Sequence, residues 1–61
     1  MTQFQVLNPT GVALGVYEAA TADAAIEACV RDAGYDSVAD MEARLDQPCE
    51  LEAREVEQRS V

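Results

Sequence analysis

The sequence predicts a small α+β domain in the order ββααβ, and three observations carry that prediction. The first seventeen residues hold no charged side chain and read as two strands about an Asn-Pro-Thr-Gly turn, the first alternating polar with apolar. Apolar residues then recur at helical spacing between a threonine and a glycine. Beyond them, helix signals run as far as Pro48 and alternation follows it. Residues 1–61 read as one domain, an N-terminal β-hairpin packed against two helices with a third antiparallel strand.

In the hairpin, Gln3-Phe4-Gln5-Val6-Leu7 alternates and is rich in strand formers. Asn8-Pro9-Thr10-Gly11 supplies the turn, with proline fixing φ at a central position and glycine closing it. On the return strand, Val12, Leu14 and Val16 are expected to share one face, with Ala13, Gly15 and Tyr17 on the other. Gly15 has no side chain to pack, which suggests a bulge or a close approach by another element.

Thr21 opens the first helix as N-cap, and Asp23 complements the positive end of the helix dipole. Ala22, Ala25, Ile26, Cys29, Val30 and Ala33 form the apolar stripe expected to face the sheet. Gly34 suits the left-handed residue of a helix stop, Tyr35 can fold back on the last turn, and Arg31 lies near the negative end. A second helix follows Ser37, with Asp40 three residues on as its capping-box partner. Val38, Met41 and Leu45 are its expected buried stripe, and Pro48 ends the pattern.

The tail reads two ways. Cys49, Leu51 and Ala53 alternate with Glu50, Glu52 and Arg54, yet the composition favours helix. A lone two-stranded hairpin is marginal, so a strand near residues 49–56 covering a free edge is the expectation.

Composition narrows the function. Twelve Asp and Glu against four Arg give a net charge of −8, with no Lys and no His. Such a surface repels nucleic acid and anionic lipid and favours a basic partner. No histidine stands ready as a base for a nucleophile, and no glycine-rich loop leads into a lysine to hold phosphate. Asp32, Asp36 and Asp40 lack the spacing of a calcium loop. The expectation is a non-enzymatic binding protein with no cofactor and no metal. Cys29 and Cys49, without a CxxC pair, read as two free thiols in a reducing cytoplasm, a single disulfide being the alternative. The N-terminus has neither a basic region nor a long apolar run, so a cytoplasmic monomer is expected.

All sixteen charges lie between Glu18 and Arg59. Asp23 and Glu27, Asp36 and Asp40, and Glu42 and Asp46 are each four residues apart. On a helix face that is roughly 5–6 Å, comparable to the spacing of successive phosphates along a nucleic-acid strand. With Asp32 these are the candidate partner-binding residues. The competing reading is a solvated face, because each Arg also follows a carboxylate by four: Glu27–Arg31, Asp40–Arg44, Glu50–Arg54 and Glu55–Arg59.

The stretch Phe4 to Glu18, with Asn8-Pro9-Thr10-Gly11, Leu14-Gly15 and Tyr17-Glu18-Ala19, resembles the hairpin of short hairpin-plus-helix proteins encoded by phages and mobile elements. Ala25 to Ser37, especially Arg31-Asp32-Ala33-Gly34-Tyr35, continues the likeness over about half the chain. In size and charge the chain is similar to small acidic anti-CRISPR proteins, among them inhibitors of type I systems including subtype I-C. That resemblance implies a DNA mimic that blocks target-DNA binding by a type I Cascade surveillance complex, its partner being a basic DNA-binding surface. The alternative is an antitoxin or phage accessory protein that docks through its β-hairpin.

Overall fold

In the computed structural model, which describes residues 1–56, the elements run β1 (Thr2–Leu7), β2 (Ala13–Ala19), α1 (Ala22–Asp32), α2 (Val38–Leu45) and β3 (Glu52–Glu55). The strands form one antiparallel sheet in the order β2-β1-β3. The α+β class and the ββααβ order are those the sequence predicts. The third strand is shorter than residues 49–56, and it pairs with the edge of β1 that β2 leaves open.

The turn is held by one side chain. Asn8 Oδ1 accepts from the Thr10 N–H at 3.0 Å, the Thr10 hydroxyl at 2.7 Å and the Val12 N–H at 2.9 Å. The Gly11 N–H closes the turn on Asn8 O at 2.9 Å, which places Pro9 and Thr10 at its centre. Past the turn the expected alternation fails. Val6 stands opposite Gly15 but Leu7 stands opposite Ala13, so Leu14 is an extra residue. This bulge puts Ala13 and Gly15 on different faces and breaks the face expected of Val12, Leu14 and Val16. Those three are 57%, 47% and 52% exposed.

One sheet face carries the core. Phe4 and Val6 of β1 meet Ala19 of β2 and Ala25 and Cys29 of α1, with Tyr17, Ala22, Leu51 and Ala53 packed around them. Val30 is also buried, and Ile26 is half-buried. Ala33 lies outside the stripe assigned to it: as the C-cap it is exposed, where the chain turns away from the sheet. The stop itself is a Schellman motif, with the Gly34 N–H on Arg31 O at 3.0 Å and the Tyr35 N–H on Val30 O at 3.2 Å. Gly34 takes φ 103, a left-handed conformation that a side chain would strain.

The second helix packs loosely. It leans on α1 and has no buried residue: Val38 and Met41 are half-buried and Leu45 is 46% exposed, so the expected buried stripe is only partly covered. An eight-residue helix against so small a domain finds too little surface to seal its face. It ends before Pro48, on Asp46 with φ 53, where the left-handed turn leads the chain back toward β3. Cys29 and Cys49 are both free. No helix of the described residues is long and apolar enough to cross a membrane.

Candidate functional site

The seven candidate carboxylates fall into four places. Asp23 sits in the first turn of α1, whose N-cap Thr21 accepts the Ala24 N–H at 3.1 Å. One turn on, Glu27 accepts from Arg31 at 3.0 Å, a pair in which the arginine side chain is 64% exposed. Such an exposed i,i+4 pair contributes only about 0.3–0.5 kcal/mol. Glu42 of α2 faces the same region, and its Oε2 accepts the Cys49 N–H at 2.8 Å. These three line one cleft of about 420 Å3, whose other walls are Ile26, Val38, Cys49 and Leu51.

At the junction of the helices, Asp36 precedes the N-cap Ser37, so Asp36 and Asp40 are not a helical pair as their spacing suggested. Ser37 Oγ accepts the Asp40 N–H at 3.0 Å, but the reciprocal bond is displaced by one residue. Asp40 Oδ2 accepts the Asp36 N–H at 3.1 Å in place of the Ser37 N–H of a capping box. That bond, helped by Arg44, holds the Asp40 carboxyl below the usual range. Arg44 also stands over the Tyr35 ring, 5.9 Å from its centroid. Asp46 belongs elsewhere again. As the C-cap its N–H still donates to Glu42 O, but the left-handed φ of 53 swings its side chain off the line of the helix face.

Asp32 stands apart at the end of α1, where it accepts the Tyr17 hydroxyl at 3.0 Å. The neighbouring Cys29 thiol and the Asp32 carboxylate, with some desolvation, push the Tyr17 phenol up to about 12. Glu27, Asp32, Asp40 and Glu42 are thus engaged internally. Among the described residues, the side chains of Asp23, Asp36 and Asp46 have no hydrogen-bonding or ionic partner.

Two arginine pairs stand as expected, Glu27–Arg31 and Asp40–Arg44. Glu50–Arg54 does not form, because an extended chain carries residues four apart well beyond contact; Arg54 instead meets Glu52 at 3.2 Å. Glu55–Arg59 involves Arg59, outside the described residues. Among the described residues no three His, Cys, Asp or Glu side chains gather as a metal centre requires.

Spacing could not reveal the contacts made by Tyr17 and Cys49. The exposed patch on β2 did leave a signal. Residues 12–17 are apolar or glycine without interruption, more than a strand buried on one face can use. A larger depression of about 500 Å3 lies at the hairpin turn, between Pro9, Thr10, Glu50 and Arg54, and includes none of the seven candidates. Set against known protein families, curated proteins and solved structures, the chain matches none of them.

Proposed function

We propose that this chain is a non-enzymatic inhibitor that covers a basic, DNA-binding protein surface, and that the surface is the target-DNA groove of a type I CRISPR Cascade complex, subtype I-C being the first to test. It acts as a single copy in the cytoplasm of the bacterial host. One observation carries the reading. A chain of net charge −8 keeps Asp23, Asp36 and Asp46 exposed and, among the described residues, without side-chain partners, on the helical side of a domain whose first seventeen residues hold no charged side chain. Like charges so arranged do not help folding, whereas they attract a cationic groove. Competition follows: carboxylates occupy the lysines and arginines that would hold target-strand phosphates.

The decisive experiment measures target-DNA binding by purified type I complexes of several subtypes with increasing amounts of the protein, beside phage plaquing in hosts carrying those systems. Loss of DNA binding in one subtype supports the reading; unchanged DNA binding in all of them overturns it.

A second reading has its own observation. Leu14 and Val16 of β2, an outer strand of the sheet, and Val12 just before it are half-exposed, as a module docking through its hairpin would need. Salt separates the two. Binding through carboxylates weakens steeply as ionic strength rises, while an apolar edge contact is little changed.

A further inference from the structure

We propose that the groove between α1 and α2 seats one arginine side chain of a protein partner, with its aliphatic stem on Ile26, Val38 and Leu51 and its guanidinium at Asp23. The inference rests on the reading that the partner is a basic protein surface, and names what that surface inserts.

The groove exists because α2 fails to seal. Ile26 on α1, Val38 on α2 and Leu51 before β3 are each left half-buried around one space of about 420 Å3. Cavities that hold small ligands start at about 300 Å3, so this one suits a single long side chain and is too small for a helix. Its rim is anionic. Asp23 has no partner among the described residues, and Glu42 commits one oxygen to the Cys49 N–H. Glu27 shares its charge with the exposed Arg31.

An occupant has to satisfy floor and rim together. An anionic group would meet Asp23 and Glu42 and be repelled. A purely aliphatic side chain would fill the floor and leave the rim unused. Lysine carries a compact, strongly hydrated charge that resists leaving water. Arginine has an aliphatic stem and a weakly hydrated, planar cation able to meet two carboxylates at once.

The test titrates the full-length, isotope-labelled protein with the blocked tripeptide Ala-Arg-Ala, followed by amide NMR shifts. Blocked Ala-Lys-Ala and Ala-norleucine-Ala serve as comparisons. Saturable shifts are expected at Ile26, Val38, Cys49 and Leu51, with the arginine peptide binding most tightly. Asp23→Asn should weaken it by about two- to fivefold, the worth of one exposed ion pair. Val38→Ser should weaken it through the floor, with a melting curve confirming that both variants fold. Shifts spread evenly over Glu50, Glu52 and Glu55 would overturn the proposal, as would lysine or norleucine peptides binding equally well or Asp23→Asn binding like the parent. The outcome is separable from the inhibitor reading. A chain that blocks a surveillance complex yet leaves its groove empty refutes only the arginine site, and a chain that fills its groove yet inhibits nothing refutes only the inhibitor.

Discussion

The Tyr17 hydroxyl donates to Asp32 Oδ2 at 3.0 Å, tying β2 to the last residue of α1. The bond joins the hairpin, whose one charged side chain is Glu18, to the charged remainder of the chain, and it occupies a carboxylate that the sequence offers to a partner.

Breaking that tie should cost stability and spare binding. Tyr17→Phe and Asp32→Asn are each expected to destabilise by about 0.5–1.5 kcal/mol, read from urea unfolding. Alkali should act on the same bond. The folded state favours the neutral phenol, so its contribution is intact below the unfolded pKa of about 10 and is lost as pH rises toward about 12. Tyrosinate absorbance in a Tyr35→Phe background follows Tyr17 alone; titration near pH 10 would show that neither Cys29 nor Asp32 holds the phenol.

Gly15 tests the same ring from the other side. A Cβ at this position would lie 3.1 Å from Tyr17 Cε2 and 3.3 Å from its oxygen. Replacing a strand glycine by alanine ordinarily gains roughly 0.5–1 kcal/mol, and crowding a packed side chain costs roughly 1–3 kcal/mol. Crowding should win, so Gly15→Ala is expected to lose about 1 kcal/mol. The loss should vanish in a Tyr17→Leu background, which a double-mutant cycle measures.

Core burial ranks two substitutions on α1. Val30 is 1% exposed and Ile26 half-buried, so Val30→Ala should cost about 2 kcal/mol although it removes less side chain. Ile26→Ala should cost less, because much of its surface already meets water. Thermal melts suffice, since about 1 kcal/mol shifts the midpoint of so small a domain by about 4–8 °C. Equal shifts would mean that Ile26 is as deeply packed as Val30.

Acid should loosen the junction of the helices. The Asp40 carboxyl is held low by the Asp36 N–H and Arg44, so its ionised form is favoured by folding. Its contribution is present above the unfolded pKa of about 3.9 and falls away as pH drops through the lower folded value. Asp40→Asn should flatten the stability curve in that acid range and leave the alkaline limb unchanged.

The carboxylates should divide by engagement. Reversing Asp23, Asp36 and Asp46 together to Lys should abolish partner binding with a melting point within a few degrees of the parent, since exposed sites cost little. Glu42→Gln should do the reverse, lowering the melting point through the lost grip on Cys49 and weakening binding far less than the triple reversal. Retained inhibition by the triple reversal would shift the function to the hairpin.

Much of the fold was legible because its signals are local. Pro9 and Gly11 mark the turn, Thr21 and Gly34 bracket α1, and Leu51 and Ala53 alternate into the core. The bulge at Leu14 was not legible beyond the hint at Gly15, because register depends on the facing strand. Which carboxylates stay exposed was hidden for a related reason. Glu42 reaches a backbone seven residues away and Asp40 one residue earlier than a capping box would place it, and spacing reports neither.

The central strand is also the first to be made. Residues of β1 wait from Leu7 to Glu52, 45 positions, before their second neighbour exists. At about 5–20 residues per second, the ribosome leaves that edge uncovered for roughly 2–9 seconds. Throughout that interval the nascent hairpin offers an unpaired, uncharged strand that chaperones or other nascent chains can engage. Closing the sheet waits on a long-range pairing, so folding speed is set by that late docking and not by the rapid hairpin.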